Sequence, residues 1–338
     1  SEHPKTKGIS MYITAPDQHI SWAGATGWAD QSIYRKLKAT DPVNIASITK
    51  MYVSAAVLKL VEENQLTLTQ SIDGLLSEDI LKKLEQAGYD PSTITIAHLN
   101  SHTSGFADYV STEIYQSRSK KQPNYHWTRE EQIDLTLTLS PLAAAGELFS
   151  YSDLNHLLLA YILEIKTEKP FQEAIRYLLT KNGFQMAETW FLSLEESPTH
   201  LESLAHQFAS SYSVDNYSLH PSFDLYGGGG LAATVMDLAL FTQELFNGSI
   251  YDTKQTSQLL FETIKTTDGL ENDYFMGIAK TQLGKFEAYG HGGFWGTTTQ
   301  YFPALNCSIS IFLMERDQWP VYRDILEEVA TVIEGIQN

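Results

Sequence analysis

The chain has 338 residues, 43% of them apolar and 19% charged, with 41 Asp and Glu against 23 Lys and Arg for a formal charge of −18. That length and apolar share describe one large folded domain or two intimate ones and exclude intrinsic disorder. The acidic balance excludes nucleic acid as a main partner and argues against anionic lipid, because both are bound through clustered basic residues. Cys307 is the single cysteine, so an internal disulfide is impossible and a zinc ribbon or redox pair is disfavoured. No stretch approaches the ~18–20 apolar residues that cross a bilayer.

A start at Ser1 followed by a polar stretch to Gly8 is expected of a processed or engineered terminus, not of a retained signal peptide. Residues 9–14 and 19–26 are strand-like, and the Ala15-Pro16-Asp17-Gln18 turn makes them a hairpin. Beyond Lys50 a helix is predicted, with Met51, Ala55, Leu58 and Val61 at helical spacing on one buried face. From 66 to 233 the reading is mainly helical, with a short segment at 94–100, a helix opening near Asp153, and another over 171–179 after Pro170. Residues 210–223 read as a loop, and Gly227 to Gly230 break the chain before a helix over 234–246. Strands are predicted at 274–282, 285–289, 297–302 and 308–313, then a last helix over 321–336. Strands at both ends with helices between them imply an α/β (α+β) fold. One antiparallel sheet domain would be built from 1–65 and 234–338, with a helical domain over 66–233 and a cleft between them.

Three stretches carry possible chemistry. Ser47-x-x-Lys50 sits at the mouth of a buried helix, where a spacing of three puts both side chains on one face. A serine there is activated if a neighbouring base takes its proton, and a lysine serves as that base when apolar surroundings keep it uncharged. The plainer reading is a helix-capping serine and a surface lysine. Tyr151-Ser152-Asp153 also precedes a helix. Its phenol could share the lysine's proton, while Ser152 or Asp153 either binds a substrate amide or caps the helix. In His291-Gly292-Gly293-Phe294-Trp295-Gly296, glycines beside a strand give a ligand access to backbone N–H groups. The plainer reading is a hairpin turn with an exposed histidine.

The three stretches, in this order, resemble the serine β-lactamase and penicillin-binding-protein superfamily, in the branch that holds class C β-lactamases, DD-peptidases and related esterases. Leu99-Asn100-Ser101-His102-Thr103-Ser104-Gly105 is similar to a further segment of that branch, as is Gly228-Gly229-Gly230-Leu231 with Thr234. The resemblance implies a serine hydrolase without metal or organic cofactor. It implies that Ser47 is the nucleophile, Lys50 its proton acceptor, and Tyr151 a general base with Lys50 and proton donor to the leaving group. The backbone N–H groups of Ser47 and Phe294 would form the oxyanion hole, with Asp153, His291, Gly292 and Gly293 lining the substrate site. Tyr226, Tyr274 and Trp295 are candidate cleft walls. Two departures stand out. Asp153 occupies a position where the family usually has asparagine, and His291 one where it has lysine. Both fit an esterase, amidase or peptide hydrolase better than an efficient β-lactamase. The implied substrates are carboxyl esters, amides, D-amino-acid peptides derived from peptidoglycan, or β-lactams, and the implied location is extracytoplasmic, periplasmic or secreted, with a signal peptide removed. The alternative is a penicillin- or peptidoglycan-binding sensor of the same fold with little turnover.

Competing signals are weaker. His98 and His102 have the i, i+4 spacing of a zinc helix, but Leu99 replaces the required glutamate, so a structural role is expected for both. The glycine run follows a polar segment and not a hydrophobic strand, against a dinucleotide loop.

Overall fold

Both ends of the chain contribute to one seven-stranded antiparallel sheet. The computed structural model describes residues 7–267 and 273–337, so the first six residues of the polar N-terminal stretch lie outside the described residues. The spatial order is Arg35–Lys36, Ile20–Asp30, Gly8–Ala15, Cys307–Leu313, Thr297–Phe302, Phe286–Gly293 and Ala279–Leu283. The two ends of the chain meet where Gly8–Ala15 pairs with Cys307–Leu313, with Ile9 opposite Leu313 and Thr14 opposite Ser308. Cys307–Leu313 is buried along its whole length, and the two-residue period of a strand sorts its side chains between two cores. Ile309, Ile311 and Leu313 meet Leu326, Ala330 and Ile333 of the terminal helix Pro320–Gln337. Phe312 points the other way, into the large core shared with Leu238 and Phe241 of the helix Val235–Asn247.

The N-terminal hairpin forms as expected, closed by a short 3-10 turn at Pro16–Gln18. The strand expected over 274–282 starts only at Ala279, because Gly277 at φ 75° turns the chain and leaves Tyr274 with an isolated bridge to Ala279. The strand expected to stop at 289 continues to Gly293, which places His291, Gly292 and Gly293 inside the sheet.

The middle of the chain carries the helices Ile96–Asn100, Arg129–Leu137, Asp153–Thr167 and Phe171–Thr180, among others. It also contributes two short strands, Thr189–Phe191 and Leu231–Ala233, to a small sheet with Val43–Asn44. Within the expected loop 210–223, Val214–Asp215 pairs with Phe208–Ala209. The helix Thr49–Glu62 is the hub of the molecule. It is buried on every side from Thr49 to Leu60, not on the single face its spacing suggests. Two lysines, Lys50 and Lys59, are therefore enclosed, and burial of a charge is tolerated only with a partner. Each finds carboxylates: Lys59 meets Glu62 at 2.7 Å and Asp252 at 2.9 Å, and Lys50 meets Asp153 at 2.7 Å.

Candidate active site

Ser47 lies in the 3-10 turn Ala46–Ile48 that leads into the hub helix. Ala46 takes a left-handed conformation at φ 46°, which costs an alanine roughly 1–2 kcal/mol and sets a tight bend just before the serine. The helix is capped at Ile48 without a side-chain bond, so the Ser47 hydroxyl is not spent on capping. Lys50 Nζ donates to Ser47 Oγ at 3.2 Å and to the Gly228 carbonyl at 2.6 Å. The same amine lies 2.7 Å from Asp153 Oδ1. Ile45, Ala46 and Ile48 are buried as the sequence reading requires. The amine itself, however, faces a carboxylate and forms an ion pair; apolar surroundings do not isolate it.

Tyr151 stands at the end of an irregular segment before the helix Asp153–Thr167. Its phenol faces the Ser47 hydroxyl, and its ring centroid lies 4.9 Å from Lys50 Nζ. Burial, followed by the charge of Asp153, holds the phenol well above its usual pKa, and the Ser47 hydroxyl works in the opposite direction. Tyr151 is thus a neutral phenol at ordinary pH. Ser152 does not cap the helix; its hydroxyl donates to the Ala107 carbonyl at 2.8 Å.

Two further carboxyl groups belong to this cluster and were not found by motif. Asp108 is pushed up to about 7 and Asp224 to about 8, in each case by burial first and by Asp153 second. A trace of Asp224 is present in the glycine run, since a Cβ at Gly229 would lie 2.2 Å from its Oδ2. Gly228 faces Asp153 in the same way, with a Cβ 3.1 Å from its Cγ.

On the opposite side the sheet delivers His291, which is buried, not exposed. Its Nδ1 donates to the Gly292 carbonyl at 2.6 Å, which leaves Nε2 to accept from the Tyr274 hydroxyl at 3.1 Å. Burial and then the charge of Lys50 lower its pKa to about 4, so the imidazole is neutral at physiological pH. The ring lies 6.2 Å from that of Tyr151. Gly293 is where strand and serine turn touch: a Cβ there would sit 2.2 Å from the Ile45 carbonyl and 2.3 Å from Thr297 Oγ1. Gly292 is open, with nothing nearer its added Cβ than the Thr297 carbonyl at 3.7 Å. Phe294 follows at the start of the hairpin, so its N–H belongs to the segment that abuts the Ser47 turn.

The structure thus brings together Ser47, Lys50, Tyr151, Asp153, Tyr274, His291 and Gly293, and adds Asp108, Asp224 and His102. It draws Trp295 and Tyr226 elsewhere. Trp295 is 1% exposed and packs with Ala46, Ala209 and Leu219 beneath the turn. Tyr226 donates its hydroxyl to the Trp127 carbonyl at 3.2 Å and turns its ring toward Arg129 and Phe171. His98 and His102 part company: His98 Nδ1 accepts from the Thr95 N–H in a capping box, while His102 packs on Tyr151. Among the described residues no group of three or more His, Cys, Asp or Glu side chains is arranged to hold a metal ion.

Known proteins share this arrangement of chain. Penicillin-binding protein 4* of Bacillus subtilis is 22% identical over 296 residues, covering 84% of this chain, which spans 62% of that relative's length. The D-amino acid amidase of Ochrobactrum anthropi SV3 superposes with a TM-score of 0.76 at 18% identity, over 98% of this chain and 96% of that one. A D-stereospecific amidohydrolase from Streptomyces superposes with a TM-score of 0.75 at 20% identity, over 93% and 91% of the two chains. The family model described as Beta-lactamase matches residues 1–330, and the chain belongs to the beta-lactamase family.

Proposed function

We propose that this chain is a serine hydrolase that forms an acyl-enzyme at Ser47 on carboxyl amides or esters whose reacting end carries no free carboxylate. The observation that carries this reading is the contact of Lys50 Nζ with Ser47 Oγ at 3.2 Å, with the Tyr151 ring 4.9 Å from the same amine. Ser47 Oγ attacks the carbonyl carbon. Lys50 first releases a proton to Asp153, which turns the ion pair into a neutral pair, and the free amine then takes the Ser47 proton and is again an ammonium beside the neutral Asp153. The oxyanion is taken by the backbone N–H groups of Ser47 and Phe294. The C–N or C–O bond then breaks, with the Tyr151 hydroxyl giving its proton to the leaving group and recovering one from the Lys50–Asp153 pair. Water repeats the sequence to release the acid. The reacting groups come from both proposed parts of the chain: Ser47 and His291 from 1–65 and 234–338, Tyr151 and Asp153 from 66–233.

The charges around Ser47 favour the substrate choice. Asp153 offsets the one ammonium, Asp108 begins to ionise at about 7 and Asp224 at about 8, and the neutral His291 supplies no fixed cation for a substrate carboxylate. An amino-acid amide or simple ester suits this field; a peptide ending in a free carboxylate or a β-lactam acid suits it less. The D-amino acid amidase and the D-stereospecific amidohydrolase of similar fold support the same choice. No helix among the described residues is long and apolar enough to cross a membrane, and the penicillin-binding relatives support a site of action outside the cytoplasm.

The test is a fluorophosphonate probe read by intact mass, followed by rates on a D-amino-acid amide, a short-chain nitrophenyl ester, a D-Ala-D-Ala peptide and nitrocefin. One adduct on Ser47, lost in Ser47→Ala, with the amide or ester turned over fastest, is the expected result. No adduct at any pH makes the protein a binder. Nitrocefin or the peptide as the best substrate overturns the substrate assignment.

A further inference from the structure

We infer that His102 is a positioning residue that clamps Tyr151 against Ser47, holding three successive residues of the 150–152 segment at once. Its carbonyl accepts the Ser150 N–H at 2.8 Å. Its ring Nδ1 accepts the Ser152 N–H at 3.2 Å. Between these two bonds its ring face stacks on the Tyr151 ring, with centroids 4.2 Å apart and planes 25° from parallel. The segment 148–152 belongs to no strand or helix, so its N–H groups have no ladder to hold them, and the obligatory donors of Ser150 and Ser152 fall to His102. This geometry needs the left-handed backbone of His102 at φ 55°, which turns its carbonyl and its ring toward the same segment.

The ring is itself fixed. His102 is fully buried, Tyr274 packs edge-on at 4.9 Å, and Asn155 Nδ2 lies 3.1 Å from the accepting Nδ1. Asn155 is tied down in turn, accepting from Ser104 Oγ at 2.6 Å and donating to the Ser152 carbonyl at 3.0 Å. An accepting Nδ1 requires the neutral ring, and burial together with the nearby Lys50 charge disfavours the imidazolium. The phenol therefore faces Ser47 from a segment that one residue holds by two hydrogen bonds and a ring stack. In a proton-transfer step, displacement of the transferring group by an ångström costs orders of magnitude in rate.

The clamp rests on the hydrolase reading, and two variants separate it from a merely structural role. His102→Asn tolerates the left-handed backbone and offers its side-chain oxygen near the place of Nδ1, but removes the stacked ring. His102→Phe keeps a ring and removes the acceptor. Each is compared with the unsubstituted chain by circular dichroism, by the fraction of Ser47 titrated with fluorophosphonate, and by kcat per titrated site and KM on one ester. The expected result for both is kcat per site lower by roughly tenfold or more, within the range that positioned acid–base groups supply, with KM within about twofold and His102→Asn the milder where its oxygen recovers the Ser152 bond. If less protein folds but kcat per titrated site is unchanged, the clamp is overturned. A 19F spectrum of 3-fluorotyrosine-labelled protein, with the Tyr151 signal identified by its loss in Tyr151→Phe, gives a readout independent of activity. That signal is expected to broaden or split in His102→Asn, and an unaltered single line overturns the clamp. If Ser47 in the unsubstituted chain takes no label, the hydrolase reading fails by itself, and the 19F line still decides on the clamp.

Discussion

Lys50 and Asp153 meet at 2.7 Å, the first side chain wholly buried and the second 10% exposed. The aspartate does two things here: it holds the amine next to Ser47, and it places a negative charge among two other carboxyl groups. Asp153→Asn preserves the shape and removes the charge. Since Asp153 is the second cause, after burial, of the raised Asp108 and Asp224, both should titrate below their present values of about 7 and about 8 while staying above the ordinary 3.8. A 13C-carboxyl NMR titration checks this. Midpoints unchanged in the variant would remove Asp153 as a source of the effect.

His291 is held neutral, with Nδ1 donating to Gly292 and Nε2 accepting from Tyr274. In His291→Lys a fixed cation returns to the strand. A charge-assisted hydrogen bond to a substrate carboxylate contributes about 1.5 kcal/mol, roughly tenfold in rate. The expected change is a rise of that size in kcat/KM for a D-Ala-D-Ala peptide relative to a neutral amide. A ratio that does not move would mean that position 291 does not meet the substrate's charged end.

What the sequence discloses follows from how local each feature is. Ser47, Lys50, Tyr151, Asp153, His291 and Gly293 are legible because each sits in a short motif at a helix mouth or beside strand glycines. His102 is legible as part of a motif but not as a partner of Tyr151, since that contact joins segments nearly fifty residues apart. Asp108, Asp224 and the Tyr274–His291 bond arise only from tertiary packing, although the crowding at Gly229 leaves a mark of Asp224. The long strands show in apolar alternation. Val43–Asn44 and Leu231–Ala233, at two and three residues, are too short for any period to register. The all-round burial from Thr49 to Leu60 is hidden by the lysines, which read as solvated until their carboxylate partners are in place.

Gly293 is expected to tolerate no side chain. The added Cβ of Gly293→Ala would meet the Ile45 carbonyl at 2.2 Å, and that neighbour is turn backbone with little room to yield. The hairpin carrying Phe294 must then move off the Ser47 turn and spoil the oxyanion hole. Loss of kcat by about 10²-fold is expected, with the circular dichroism spectrum unchanged. Gly292→Ala, whose Cβ has nothing closer than 3.7 Å, is the control and should retain its fold; equal loss in both variants would refute the steric argument.

Stability should depend on pH through two opposed groups of residues. Burial lowers His102 and His156 well below 6.5 and His291 to about 4. Unfolding therefore takes up protons below pH 6.5, and their contribution, present above 6.5, is lost as pH falls toward about 4. Asp108 and Asp224 act in reverse. They keep their protons in the folded state up to about 7 and about 8, so their contribution is present below 3.8 and lost as pH rises through those values. In Asp224→Asn that second loss is relieved. Its Tm relative to the unsubstituted chain should improve steadily from pH 5 to pH 8.5, and a difference that is flat across this span would show that Asp224 does not hold its proton.

At the far end of the hub helix, Lys59 is 1% exposed and donates to Glu62 at 2.7 Å and Asp252 at 2.9 Å. Glu62 is the keystone of this group, because its Oε1 also accepts the N–H groups of Asp252 and Thr253, both at 2.9 Å, and the Thr256 hydroxyl at 2.7 Å. Burial raises its pKa, but the Lys59 bond and these donors outweigh burial and hold it down at about 2. Glu62→Ala leaves a buried ammonium with only the largely exposed Asp252, and three donors without an acceptor. Breaking a buried pair from one side costs about 3–5 kcal/mol. Lys59→Met should cost less, since it replaces the charge with an apolar chain of similar length and leaves Glu62 its three donors. Asp252→Ala removes a partner that is 64% exposed, a change worth about 0–1 kcal/mol. Urea denaturation should rank the losses in that order, with Ser47 labelling per folded molecule unchanged in all three, because the group sits at the end of the helix remote from Ser47. A Lys59→Met variant as unstable as Glu62→Ala would show that the ammonium itself, not the stranding of its neighbours, stabilises this end of the helix.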